Sequence, residues 1–124
     1  MNVQMTKLDF SGVKIISLYR SQGANSQGIV DCLNQLIEKD KPTIIAGDFN
    51  LCYVDQKQNL IVKYLENCGF SQLVKEATHL QGGHIDHVYS NHDKTVYDVF
   101  VMHYSPYYTC QDHDALLVTL RCLL

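Results

Sequence analysis

No stretch of this sequence approaches the ~18 to 20 consecutive apolar residues that cross a bilayer, so a helical membrane span is excluded as a reading. The first ten residues carry neither a basic leader nor an apolar core, and the chain as given is expected to stay in the compartment where it is made. There is no basic excess. Lys plus Arg number 10 against 13 Asp plus Glu, a net charge of −3, so the overall field repels a polyanion and any nucleic-acid role must rest on a local site. Glutamate is scarce: Glu38, Glu66 and Glu76 are all there is, and the other acids are Asp, the carboxylate of loops, caps and metal sites. Paired cysteine motifs are lacking as well. Five cysteines, Cys32, Cys52, Cys68, Cys110 and Cys122, are odd in number and widely spaced with no CxxC, which points to reduced thiols in a cytoplasmic or nuclear protein.

Repeats, linkers and low-complexity segments are absent too, and what remains is one folding unit with 46% hydrophobic residues. Val13 to Tyr19 is a β-branched run after the turn-forming Ser11-Gly12, and it reads as a buried strand with Val3, Met5, Leu8 and Phe10 supplying a hairpin partner. Ile29, Val30, Leu33, Leu36 and Ile37 fall at helical spacing after a candidate N-cap at Asn25 or Ser26. Lys41-Pro42 ends that helix, and Thr43 to Ala46 forms a second buried strand, completing a βαβ unit. Leu60, Ile61, Tyr64 and Leu65 mark a second helix that Gly69 closes. Strands are expected at Ile85 to Tyr89, Val96 to Met102 and Ala115 to Leu120, with turns at Gln81 to Gly83 and Asn91 to Lys94. The fold class is therefore α/β, with one mixed β-sheet and two main helices.

Three polar clusters sit at strand ends, where open α/β sheets bind their ligands: Asp48 with Asn50, Asp86, and Asp112 with His113. Asp48 reads equally as a turn residue capping backbone donors or as a group bearing chemistry. Asp86 lies between Ile85 and His87 in an alternating strand, where a carboxylate calls for a hydrogen-bonding or metal partner. Asp112 and His113 are adjacent, and in extended chain their side chains diverge, so each needs a partner elsewhere. Asp86 is the natural partner for His113, since a carboxylate on one ring nitrogen orients the imidazole and favours its charged form. Asp112, Asp48 and Asn50 then suit a magnesium ion, which takes hard oxygen ligands. A zinc alternative built on His79, His84 and His87 with Asp86 fares worse, because in a strand His84 and His87 point to opposite faces.

Taken together, Tyr19 at the end of IISLYRS, GDFN at Gly47 to Asn50, HIDHVYS around Asp86 and QDHDALLVTL with Asp112 and His113 resemble the C-terminal half of the endonuclease/exonuclease/phosphatase superfamily. THLQGGHIDHVYS is similar in particular to endonuclease domains of mobile elements. The resemblance implies a partial sandwich whose second sheet is missing, residues 1–124 being the C-terminal part of a single domain and the N-terminal half, with its Asn and Glu metal ligands, lying in the remainder of a larger polypeptide.

By the same resemblance, the activity is Mg-dependent hydrolysis of phosphodiester bonds in nucleic acid, with manganese as the alternative ion and no membrane partner. Asp48 would activate the water, Asn50 would hold water and phosphate, and Asp86 would support His113 on the scissile phosphate. Asp112 would bind magnesium, and Tyr19 would stabilise developing charge. Two positions depart from the family pattern, Gln111 where Ser is usual and His84 where Arg is usual. A phosphatase or lipid phosphodiesterase of the same superfamily, and a catalytically silent remnant, are the competing readings. Lys57, Lys63, Lys75, Lys94 and Arg20 are the candidate phosphate contacts, and Tyr104, Tyr107 and Tyr108 could stack on bases or pack beneath their loop.

Overall fold

A computed structural model describes residues 3–79, 83–92, 96–102 and 113–120. Strands β1 (Val3–Phe10) and β2 (Val13–Arg20) form the expected hairpin. Their two-residue loop has Ser11 at φ 51° and Gly12 at φ 83°, the paired left-handed conformations that match strand twist in a tight hairpin. Helix α1 (Ser26–Leu36) follows, capped by Asn25, whose Oδ1 accepts from the backbone N–H of Gln27 at 2.8 Å and of Gly28 at 3.2 Å. It returns the chain to β3 (Thr43–Asp48), parallel to β2, so the βαβ unit forms as its sequence pattern requires.

Helix α2 (Leu60–Asn67) is capped by Asn59. It ends in a Schellman turn: Gly69 at φ 86° donates to Glu66 O at 3.0 Å, and Phe70 N–H donates to Leu65 O at 2.9 Å. Then come β4 (Ser71–Gln72), β5 (Asp86–Ser90), β6 (Val96–Met102) and β7 (Ala115–Leu120). The main sheet runs β1-β2-β3-β5-β4 and is mixed, while β6 and β7 pair with each other as a second sheet. Among the described residues the second sheet has two strands.

Strand alternation sorts the core into two layers. On one face of the main sheet, Ile16, Leu18, Ile45 and Tyr89 pack against Ile29 and Leu33 of α1 and Ile61 and Leu65 of α2. On the other, Val13, Ile44 and Val88 meet Val101, Leu116 and Val118 of the two-stranded sheet. The result is helices, main sheet and second sheet in three layers, with the C-terminal end of β3 opening between the two sheets. The second layer is short. Phe100, Met102 and Leu117 on its outer side stay about half exposed, as do Leu8 and Phe10 of β1.

The element ends differ by a residue or two from the sequence expectations, and the short β4 was not foreseen. No described helix is long and apolar enough to cross a membrane. Cys32, Cys52 and Cys68 are free thiols, while Cys110 and Cys122 lie outside the described residues.

Candidate active site between the sheets

Gly47 is what lets β3 deliver Asp48. It sits at φ 151° opposite Leu18, and a Cβ there would lie 1.8 Å from the Leu18 carbonyl oxygen, so any side chain would force β2 and β3 apart. Phe49 then turns into the core, fully buried, stacks on the His87 ring at 4.8 Å between centroids, and donates its N–H to Ile85 O at 2.9 Å. With Phe49 anchored inward, Asp48 faces the gap between the sheets. Asn50 adopts the left-handed conformation at φ 49° and donates its backbone N–H to Asp48 Oδ1 at 2.9 Å. Its side-chain Nδ2 donates to Arg20 O at 2.8 Å.

Asp86 is the direct cross-strand partner of Asp48. It is 9% exposed, and its Oδ2 accepts two hydrogen bonds, from Thr78 Oγ1 at 2.6 Å and from His113 Nδ1 at 3.0 Å. The other ring nitrogen, Nε2, lies 3.6 Å from Asp48 Oδ2. Thr78 is fully buried, accepts the Asp86 N–H at 3.2 Å, and gives its carbonyl to the Asp114 N–H at 2.6 Å. That last bond, with the His79–His113 bridge, ties the entry of β7 to the main sheet and brings His113 to Asp86. The His79 ring stands edge-on to His113 at 5.0 Å.

Asp48, Asp86 and His113 each present a ligand atom within 4.8 Å of the other two, and they are the one such group among the described residues. Asp48 and Asp86 open onto a cavity of about 340 Å³ between the sheets, which Ser17, Asp114 and Leu116 also line. Burial raises the Asp48 carboxyl above its ordinary value, and the neighbouring Asp86 charge pushes the same way. The Asn50 N–H, His113 and His79 oppose them. Two carboxylates held side by side at the edge of a core, with an imidazole beside them, form a donor set that fits a divalent cation.

Asp48, Asn50, Asp86 and His113 converge. Tyr19 is the β2 register partner of Asp48 and is 43% exposed. Asp112, Gln111, Lys94 and Tyr104, Tyr107 and Tyr108 lie outside the described residues. Arg20, read from sequence as a phosphate contact, is instead only 6% exposed, and burial lowers its pKa. Its guanidinium donates to main-chain carbonyls: Ala24 O at 2.8 Å, Asn50 O at 3.3 Å and Phe49 O at 3.4 Å.

The zinc alternative does not assemble. His87 is on the helix side, fully buried, with Nε2 2.8 Å from Leu51 O and Nδ1 3.1 Å from the Tyr89 hydroxyl, and burial lowers its pKa to about 4. His84 is buried beside Gln72. Thr78 went unnoticed in the sequence, since nothing in its spacing ties it to Asp86 before the loop between them is closed.

A mixed sheet backed by helices and faced by a second sheet is the fold this chain shares with the endonuclease/exonuclease/phosphatase superfamily. Residues 13–117 match a family described as endonuclease-reverse transcriptase, and the chain belongs to that family. No curated protein matches it by sequence.

Among solved structures it is similar to the endonuclease domain of TRAS1, a telomere-specific non-LTR retrotransposon, at 13% identity and TM-score 0.74, covering 98% of this chain and 62% of that one. It is also similar to an endonuclease/exonuclease/phosphatase family protein from Leptotrichia buccalis C-1013-b, at 13% identity and TM-score 0.62, covering 96% of this chain and 53% of that one. CdtB, the biologically active subunit of cytolethal distending toxin, matches at 14% identity and TM-score 0.67, covering 94% and 51%. The chain thus spans less than two thirds of the length of each of these structures, and at these identities the likeness establishes the fold.

Proposed function

We propose that this chain carries the C-terminal half of a divalent-cation-dependent phosphodiesterase site that cleaves nucleic acid, the endonuclease domain of a mobile element. The observation that carries the reading is the convergence of Asp48, Asp86 and His113, the two carboxylates lining the inter-sheet cavity. In this reading Asp48 takes a proton from the attacking water through Oδ2, the oxygen not held by the Asn50 N–H. A carboxyl raised by burial is better matched to that task than an exposed one. Asn50 orients the water. Asp86, with Oδ2 fixed by Thr78, holds His113 through Nδ1 and turns Nε2 toward Asp48, where a bound scissile phosphate would meet it through a non-bridging oxygen. Tyr19 borders the phosphate.

Bound magnesium or manganese would offset the charge on the phosphate oxygens, held by Asp48 and Asn50 with Asp112 as a third donor. The exposed Phe100, Met102 and Leu117, and a length well short of its structural relatives, support placing the chain within a longer polypeptide that supplies the rest of the domain.

The test is conversion of supercoiled plasmid to nicked circle in magnesium by that longer polypeptide, with Asp48→Asn as the control. Magnesium-dependent nicking lost in the variant supports the reading. Hydrolysis of p-nitrophenyl phosphate or phospholipid without nicking would move the site to a phosphatase or lipid phosphodiesterase, and no hydrolysis of any of these would make it a silent remnant.

A further inference from the structure

We propose that Arg20 is a positioning residue of this site: its guanidinium, spread over the Ala24, Phe49 and Asn50 carbonyls, holds Asn50 in the backbone conformation that shapes the Asp48–Asn50 corner. The proposal deepens the reading above and rests on it for the corner's purpose.

Asn50 occupies a left-handed conformation at φ 49°, which costs free energy for a residue with a side chain, and the turn aims the Phe49 and Asn50 carbonyls inward beside a fully buried Phe49. Carbonyls turned away from water need donors. Arg20 supplies them through Nη1 from one strand end, and Nη2 ties the same assembly to Ala24 O at 2.8 Å, in the segment leading to α1.

The contact is reciprocal. Asn50 Nδ2 donates to Arg20 O at 2.8 Å, and because a carbonyl can only accept, this bond fixes the flip of the Asn50 amide. Oδ1 is left as the amide's acceptor, the atom that water or a cation would use. The Asn50 carbonyl is thus held by the Arg20 guanidinium, while its side chain is held by the main chain at position 20, a bond that any residue there can make.

Stability alone does not account for an arginine here. Alternation puts Arg20 on the face of Ile16 and Leu18, where an apolar side chain would avoid burying a cation. The guanidinium also leaves Nε buried without a hydrogen-bond partner, so it is an imperfect filler of that space. What an apolar residue could not do is donate to three carbonyls in two segments at once. Lysine, a single donor centre without the planar fork, could not hold that geometry either.

The experiment uses the full chain. Arg20→Lys and Arg20→Gln are compared with wild type by amide NMR and by the rise in melting temperature that magnesium produces. Val62→Ala, a buried position on α2, serves as the control for simple destabilisation.

The expected result is that Arg20→Lys keeps the Ile45 and Val88 amide shifts and moves the backbone and side-chain amides of Asn50. It should also weaken magnesium binding by at least about tenfold, as loss of a residue that orients a ligand does. Val62→Ala should melt lower with the Asn50 signals and the magnesium response intact. Unchanged Asn50 signals in Arg20→Lys, or the same changes in Val62→Ala, would overturn the proposal.

If both Arg20 variants unfold, the wild type decides: separate, exchange-protected Nη protons with contacts to Asn50 uphold the clasp, and one averaged signal refutes it. If wild type shows no magnesium response, the cation reading fails by itself, while the Asn50 shifts still judge Arg20.

Discussion

Asp48 and Asp86 stand directly opposite each other on β3 and β5, two carboxylates paired across neighbouring strands at the edge of a hydrophobic core. Like charges so placed destabilise a sheet, and a fold keeps them only where something else is gained. His113 bridges the pair, 3.0 Å from Asp86 and 3.6 Å from Asp48.

Asp48→Asn should therefore stabilise the chain at neutral pH by roughly 0.5 to 2 kcal/mol, in the range of other single stabilising changes, because it relieves burial and repulsion while keeping the Oδ1 that accepts the Asn50 N–H. The sign follows from the raised pKa. The native state holds the Asp48 proton more tightly than the unfolded chain does, so wild-type stability falls as pH rises from the ordinary value of 3.8 through the folded value. The variant's advantage should be absent below that window and full above it. Denaturant melts at a series of pH values read this directly, and a variant less stable than wild type at pH 7 would contradict it.

Thr78→Val replaces a fully buried hydroxyl with a methyl of similar shape and should cost about 1 to 3 kcal/mol, since the Asp86 N–H and Oδ2 both lose a partner. Thr78→Ser should recover most of the loss. A valine variant as stable as wild type would mean that Asp86 is satisfied without Thr78.

Gly47→Ala should cost on the order of 3 kcal/mol or more, or prevent folding, because the added carbon would overlap the Leu18 carbonyl. Gly12→Ala, where the new carbon meets nothing within 4 Å, should cost only the strain of a left-handed turn position. Equal melting temperatures for the two variants would show that the strand approach is not what requires glycine at position 47.

Asp86→Asn and His113→Asn should not be additive. One hydrogen bond joins the two side chains, so either change removes it, and in a stability cycle the double variant should fall short of the summed losses by roughly 0.5 kcal/mol or more. Additive losses would mean that the two residues act apart.

Much of this architecture is legible in the chain because the local signals agree with the fold. The β-branched runs gave β2 and β3 their places, Asn25 capped its helix, and Gly69 closed the next one. The Ser11-Gly12 pair set a two-residue hairpin. Where reading stopped short, the deciding partner was distant in sequence. Thr78 reaches Asp86 through loop closure, and β4 is two residues long with no pattern of its own. Arg20 is different, because its signal was present: in β2 it shares alternation with Ile16 and Leu18, which marks it as inward-facing rather than as a phosphate contact.

Where a divalent cation settles on the folded chain is the most direct test of the site. In a manganese titration followed by amide NMR, the signals of Asp48, Asn50, Asp86 and His113 should broaden first and together, and Asp48→Asn should abolish that broadening. Manganese that broadens surface acids such as Asp31 and Asp55 first, or that leaves the Asp48 and Asp86 signals sharp, would contradict a cation site between the sheets.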